Sequence, residues 1–305
     1  MIAAAWAEED GMMDEERRRE TMTAQIISGT EMAKTIRAAL AEEVAQLKAV
    51  GVEPGLAVVL VGDDPASHSY VKGKQKACAE VGIRSFLYSF PKTVDEETLL
   101  AQIRALNADS AVHGILVQLP LPEHIREWSV IETIAPEKDV DGFHPINVGK
   151  MMIGQRAFLP CTPHGVVAMV KSAGIDIVGK HVVVIGRSNI VGKPVGQLFL
   201  REHATVTYTH SKTNDLAAIT RQADILIVAA GKARLIGPEH VKPGAVVIDV
   251  GVNRLENGKL CGDVDFEAVK EVAGYITPVP GGVGPMTITM LLHNTIEAAR
   301  ELAAK

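Results

Sequence analysis

Tyr70 and Lys74 stand at i and i+4 in SYVKGKQKACAEVGI, a spacing that puts an aromatic ring and an amine on one face of a helix. A lysine amine acts as a general base when burial or neighbouring positive charge favours its neutral form. Taken alone, a tyrosine and a lysine at this spacing more often belong to a solvated helix surface, and Lys72 and Lys76 lie on other faces. Gln118 lies in VQLPLP, where Pro120 and Pro122 stop a strand and leave an amide at its carboxyl edge. Asp141 lies in PEKDVDGF, immediately before a glycine, where a turn or capping role competes with a ligand-binding one. TPVPGGVGPMT, from Thr277 to Thr287, is a proline- and glycine-rich loop whose backbone can approach a flat ligand closely or simply turn the chain.

A second constellation lies further on. HVVVIGRSNIVGKPV carries Gly186 at the end of an apolar strand and Gly192 at the opening of a helix, so backbone amides are available for a pyrophosphate. The spacing is not G-x-G-x-x-G, and an ordinary strand-to-helix turn is the competing reading. The next strand, ATVTYTH, ends in His210, Ser211 and Lys212 rather than in the Asp or Glu that holds an unmodified ribose 2′-hydroxyl. With Arg187 nearby, that set suits a 2′-phosphate, so NADP is expected over NAD. Y-x-x-x-K is also the catalytic spacing of short-chain dehydrogenases, but there it follows the glycine turn. Here it precedes Gly186 by more than a hundred residues, which argues against that kind of enzyme.

These residues need a scaffold. Met32, Ile36, Leu40, Val44 and Leu47 recur at helical spacing, so a helix is expected between Ile26 and Leu47. LAVVLVG follows as a buried strand, then a helix with Pro65 near its start and Gly82 just past its end. SFLYSF, VDEETLLAQIRALN and HGILVQLPLP continue as strand, helix and strand, and a helix ends before Pro136. The stretch from Asp139 to Gly165 has little periodicity and forms the boundary. A second alternation then runs through turns at Gly186, His210, Gly231 and Gly251, and a long helix spans Met286 to Leu302. Strands alternating with helices predict parallel sheets covered on both faces.

Composition limits the partners. The chain has 305 residues, 47% hydrophobic and 22% charged, as expected for a globular protein of two domains. Its formal charge of −6 provides no global attraction for a nucleic acid backbone, and 4% aromatics, with Trp6 and Trp128 the only tryptophans, provide little stacking surface. Cys78, Cys161 and Cys261 form neither a zinc pair nor a disulfide framework, so a reducing cytoplasm and no metal are expected. No apolar run approaches the ~18 residues of a membrane span. MIAAAWAEEDGMMDEERRRE lacks the layout of a secretory signal, and residues 1–21 are expected to be a disordered extension.

SYVKGKQKACAEVGI, VQLPLP, PEKDVDGFHPINVGK, PCTP, IGRSNIVGKPV, THSKT and TPVPGGVGPMT, in that order, closely resemble the methylenetetrahydrofolate dehydrogenase/cyclohydrolase family from about Met22 to the end. The resemblance implies two α/β domains flanking a cleft, the second a Rossmann-like parallel sheet, with the C-terminal helix packing back on the first. Residues 22–150 with the helix 286–305 would be the folate-binding catalytic domain, and 151–285 the NADP-binding domain. It implies a cytoplasmic homodimer, acting on tetrahydrofolate derivatives, that oxidises the 5,10-methylene form with NADP and hydrolyses the 5,10-methenyl product to 10-formyltetrahydrofolate. The tyrosine matching Tyr70 would stack on the aminobenzoate ring, and the lysine matching Lys74 would serve hydrolysis with the glutamine matching Gln118. The aspartate matching Asp141 would bind the pterin edge. Val117, Leu119, Pro280, Gly281, Gly282, Val283 and Gly284 would line the folate side. Thr162, Gly186, Arg187, Ser188, Ser211 and Val252 would contact the cofactor, with Val252 where isoleucine is common.

The chemistry agrees with that implication. Hydride loss from a carbon between two nitrogens is driven by their lone pairs, so it needs positioning more than an acid or base. Water addition and ring opening do need proton transfer, which gives Lys74 a role. Three other readings remain open: a binding module without turnover, which predicts damaged site positions; a dehydrogenase lacking the hydrolase, which Lys74 discriminates; and a different nicotinamide-dependent dehydrogenase, which the folate-side motifs discriminate.

Overall fold

The computed structural model describes residues 23–304, so the expectation for residues 1–21 lies outside the described residues. In chain order the elements are β1 (Gln25–Ile26), α1 (Gly29–Ala49), β2 (Gly55–Val61), α2 (Pro65–Val81), β3 (Arg84–Phe90), α3 (Glu96–Ala108), β4 (Gly114–Val117), α4 (Glu127–Thr133), α5 (Pro145–Met152) and α6 (Cys161–Ser172). There follow β5 (His181–Ile185), α7 (Gly192–Arg201), β6 (Thr205–Thr209), α8 (Leu216–Thr220), β7 (Ile225–Val228), β8 (Val246–Asp249), β9 (Asn253–Arg254), β10 (Leu260–Cys261), α9 (Phe266–Val269), β11 (Tyr275–Ile276) and α10 (Val283–Ala303).

Two compact units result. The first comprises Gly29–Asp176, Ser188–Glu202 and the chain from Val283 onward. Its parallel sheet has the order β3-β2-β4. All seven residues of β2, GLAVVLV, are buried, as a central strand covered on both faces requires. Leu99 and Ile103 of α3 pack with Ala57, Val59 and Ile115 on one side of that sheet. The α2 helix opens on Asp64, whose side chain accepts from Ser67 N at 2.7 Å, has Pro65 in its first turn and closes on Gly82. The C-terminal helix α10 packs back on this unit: Asn294 Nδ2 donates to Val140 O at 2.9 Å and to Leu159 O at 3.0 Å, and Arg37 Nε donates to Thr289 at 3.0 Å.

The second unit comprises residues 23–28, Ile177–Arg187 and His203–Gly282. Its six strands, in the order β1-β11-β8-β7-β5-β6, are all parallel. The strand β5 pairs with β6 on one side and β7 on the other, so the order of the sheet reverses there. That reversal leaves a crevice at the carboxyl ends of β5 and β7, where open parallel sheets bind ligands.

Three features differ from the sequence reading. The first helix begins at Gly29, because Gln25 and Ile26 pair with Tyr275 and Ile276 in the second sheet. The aperiodic stretch after Asp139 contains α5, with Pro145 in its first turn and the His144 side chain accepting from Ile146 N at 3.1 Å. HGILVQLPLP is a strand only over Gly114–Val117, since the prolines lack N–H groups to continue the ladder. Among the described residues, no helix is long and apolar enough to cross a membrane.

Candidate active site

The α2 helix buries Ser67, Val71, Lys74, Cys78 and Val81, a stripe at helical spacing with the lysine at its centre. Lys74 is 8% exposed, whereas Tyr70, one turn earlier, is 44% exposed. The solvated-surface reading therefore fails for Lys74. Its ammonium donates to Gln118 Oε1 at 2.9 Å. Gln118 follows directly on β4, and its backbone N donates to Val59 O at 2.8 Å, which extends the β2–β4 register by one residue. Its own Nε2 donates to Leu119 O at 2.7 Å. That second bond orients the amide, so its oxygen rather than its nitrogen meets the lysine. Val117 is buried at the strand end, and Leu119 precedes a cis peptide bond to Pro120.

Asp141 is the third member of the group. Burial raises its carboxyl pKa, opposed by the Lys74 ammonium and the Cys161 thiol. Burial likewise lowers the Lys74 pKa, opposed by Asp141 and the two buried thiols, Cys161 and Cys78. The structure thus brings together an amine drawn toward its neutral form, an amide that orients it and a carboxylate that holds its charge. An amine drawn in that direction is suited to accept a proton from water.

The loop bearing Asp141 is built by residues the sequence reading passed over. Asp139, 2% exposed, accepts from Phe143 N at 3.2 Å, His144 N at 2.8 Å and Asn147 Nδ2 at 2.8 Å. Burial pushes its pKa up to about 7. Lys138 donates to Leu106 O at 3.2 Å and Asp109 O at 2.7 Å at the end of α3. The Cys161 thiol donates to Val140 O at 3.3 Å. Only the doubled aspartate in DVDG was a local signal for Asp139. Nothing near Cys161 in the chain pointed to Asp141.

In the six-stranded unit, Gly186 ends β5 at the crevice. Its φ is +130°, and a Cβ there would overlap Ala229 O, so no side chain fits. Its N donates to Thr209 O at 2.9 Å. After β6, His210 N donates to Thr213 Oγ1 and Thr213 N to His210 O, both at 2.9 Å, which leaves Ser211 and Lys212 exposed at the loop tip. Arg187 is exposed, as is Val252, which follows β8. The Gly186 position that admits no side chain, with exposed basic and hydroxyl groups and no carboxylate among His210, Ser211 and Lys212 directly after β6, fits a dinucleotide carrying a 2′-phosphate.

The remaining expected residues fall as follows. Ser188 Oγ accepts from Val191 N at 3.2 Å and Gly192 N at 3.1 Å at the start of α7, and Thr162 Oγ1 hydrogen-bonds Thr287 Oγ1 at 2.8 Å between α6 and α10. Pro280, Gly281 and Gly282 end the six-stranded unit after a second cis bond, Val279–Pro280. Val283 and Gly284 open α10. Among the described residues, no group of three or more His, Cys, Asp or Glu side chains could hold a metal ion.

A parallel sheet with a dinucleotide crevice, joined in one chain to a buried lysine, glutamine and aspartate group, defines an α/β enzyme that combines nicotinamide-dependent and proton-transfer chemistry. The chain belongs to the tetrahydrofolate dehydrogenase/cyclohydrolase family: residues 27–141 match its catalytic domain and residues 160–303 its NAD(P)-binding domain. The Bifunctional protein FolD of Geobacillus kaustophilus is 90% identical over 284 residues, which span 93% of this chain and 100% of that protein. The bifunctional FolD methylenetetrahydrofolate dehydrogenase/cyclohydrolase of Campylobacter jejuni is 53% identical with a TM-score of 0.90, over 91% of this chain and 99% of that one. The Trypanosoma brucei N5,N10-methylenetetrahydrofolate dehydrogenase-cyclohydrolase, solved with NADP cofactor and inhibitor, is 42% identical with a TM-score of 0.90, over 92% and 99%.

Proposed function

We propose that this protein oxidises 5,10-methylenetetrahydrofolate to 5,10-methenyltetrahydrofolate with NADP and hydrolyses the product to 10-formyltetrahydrofolate, as a cytoplasmic homodimer of one-carbon metabolism. The observation that carries the reading is the buried Lys74 amine, held by Gln118 at 2.9 Å and coupled to Asp141, in a chain that also has a dinucleotide crevice.

For the oxidation, the residues position rather than transfer protons. Tyr70 supplies an exposed ring for stacking under the aminobenzoate. Asp141 takes the pterin edge, where its raised pKa suits it to share a hydrogen bond with ring N–H groups. Gly186, Arg187, Ser188, Ser211, Val252 and Thr162 hold the dinucleotide. When bound, NADP supplies the hydride acceptor. Loss of hydride leaves the folate carbon, still bonded to both nitrogens, as a cation delocalised over them.

For the hydrolysis, Lys74 takes a proton from the water whose oxygen bonds to that carbon. The hydroxyl proton is then released to solvent as the C=O forms, the bond from the carbon to N5 breaks, and the proton held on Lys74 goes to N5, so the formyl group stays on N10. Gln118 keeps the amine lone pair aimed at the water. Val117, Leu119 and the loop from Pro280 to Gly284 line the folate site. Functionally, residues 22–150 with helix 286–305 form the folate half and 151–285 the NADP half. The formal charge of −6 supports the absence of a nucleic acid partner.

The test mixes the protein with methylenetetrahydrofolate and either NADP or NAD, and follows nicotinamide reduction and methenyl absorbance together. Reduction with NADP and little methenyl build-up is expected. No reduction with either cofactor, in protein shown to be folded, refutes the reading. Sedimentation tests the dimer.

A further inference from the structure

The crevice at the carboxyl edge of β5 and β7 has two walls. One is the Gly186 turn. The other is the loop leaving β7, whose Ala229 carbonyl lies where a Cβ on Gly186 would have to go. A dinucleotide threading that gap requires the β7 loop to keep its place. Yet Ala230, Gly231 and Lys232 carry no large side chain into the core that would anchor the loop by packing, and β7 itself ends at Val228.

The anchor is a carboxylate from far along the chain. Asp263, 0% exposed, follows the β9–β10 hairpin. Its Oδ2 accepts from Ala230 N at 2.7 Å and Gly231 N at 2.8 Å, and its Oδ1 accepts from Lys232 N and from Asn253 Nδ2, both at 2.8 Å. Each oxygen takes two bonds, the full acceptor capacity of an ionised carboxylate. Asn253 belongs to β9, one residue beyond Val252, so the same group also fixes the loop leaving β8. That second loop is held from the other end by Asp249, 3% exposed, which accepts from Gly251 N at 3.0 Å, Asp263 N at 3.0 Å and Val264 N at 2.9 Å. Gly251 carries no Cβ where the Asp263 carboxyl lies, so the two acids and the two loops interlock.

We propose that Asp263 is a positioning residue for the dinucleotide site: one buried carboxylate ties together the loops leaving β7 and β8, and so sets the wall opposite the Gly186 turn and the placement of Val252. The inference rests on the dehydrogenase reading above. It assigns Asp263 to the cofactor half of the chemistry alone, because the lysine, glutamine and aspartate of the hydrolytic step belong to the other unit.

The test uses the full-length enzyme with Asp263→Asn and Asn253→Ala. Asparagine keeps the shape but offers one acceptor oxygen, and its NH2 faces N–H donors, whereas Asn253→Ala removes a single donor from a half-buried position. Three quantities are measured: NADPH binding by fluorescence titration, KM for NADP against kcat, and methenyl hydrolysis without cofactor. In Asp263→Asn the NADPH Kd and the KM for NADP are expected to rise about tenfold or more, and in Asn253→Ala about threefold, with hydrolysis within about twofold of wild type. Unchanged NADPH binding in both variants overturns the inference. So does an equal loss of binding and hydrolysis in Asn253→Ala, the result of a merely structural role. Should Asp263→Asn not fold, Asn253→Ala decides alone. A wild-type enzyme that binds no NADPH overturns the dehydrogenase reading and this inference together, whereas wild-type binding with indifferent variants overturns this inference only.

Discussion

Lys74→Met is the sharpest test of the hydrolytic site. Methionine retains an unbranched stem of similar length, so the buried stripe of α2 stays filled. The change removes the hydrogen bond to Gln118 Oε1, a loss of about 1 kcal/mol, and also removes the cost of burying an amine, so the folding midpoint should move by only a few degrees. Asp141 loses the neighbour that opposes its raised pKa, and protonation lets it stay in place uncharged. The catalytic effect is larger. General base catalysis contributes about 10²- to 10⁴-fold, so hydrolysis of methenyltetrahydrofolate should slow by that factor, or about 3–5 kcal/mol in the barrier. The oxidation needs positioning only and should fall by no more than about tenfold. Methenyl absorbance and nicotinamide reduction, followed in one cuvette, separate the two: the variant should reduce NADP and accumulate methenyl product. Hydrolysis within about threefold of wild type would refute the base assignment.

Three further outcomes are expected. Asp139 and Asp249 both have pKa values pushed up to about 7 from the usual 3.8 by burial. Between those values the folded chain holds more protons than the unfolded one, so stability falls as pH rises from about 4 to 7, by up to about 1.4 kcal/mol per pH unit for each group. In Asp139→Asn, urea midpoints across that range should lose one group's share of the slope; an unaltered slope would remove the burial argument. Gly186→Ala forces a side chain into φ +130° and onto Ala229 O, at a cost of about 1–3 kcal/mol, and should abolish measurable NADPH binding while methenyl hydrolysis continues. Arg187→Ala should lower kcat/KM for NADP by about 10- to 100-fold and leave that for NAD little changed, since a charge-assisted contact to phosphate contributes about 1.5–3 kcal/mol. An equal loss with both cofactors would mean that Arg187 does not read the 2′-phosphate.

Local signals carried much of this protein. Pro65 and Gly82 punctuate α2 because φ preference and capping act over a few residues, and GLAVVLV announces a strand buried on both faces by its unbroken apolar run. The glycine turn at Gly186 and the basic, hydroxyl-bearing end of β6 were likewise legible, since strand, turn and helix are contiguous there. Spacing could not tell whether Lys74 faced water or the core. That depended on β4 and the DVDG loop arriving from more than 40 residues away to desolvate it and to supply Gln118 and Asp141. Local periodicity cannot separate Ile26 from the helix that follows, because the partner of β1, Tyr275–Ile276, lies some 250 residues downstream and two residues hold no periodicity. Asp263 left no trace in its own surroundings, for its four donors come from loops 10 to 33 residues earlier in the chain. Residue types and local spacing determined which chemistry was available. Only the tertiary structure, by excluding water from one amine and closing two loops on one carboxylate, decided where that chemistry is held.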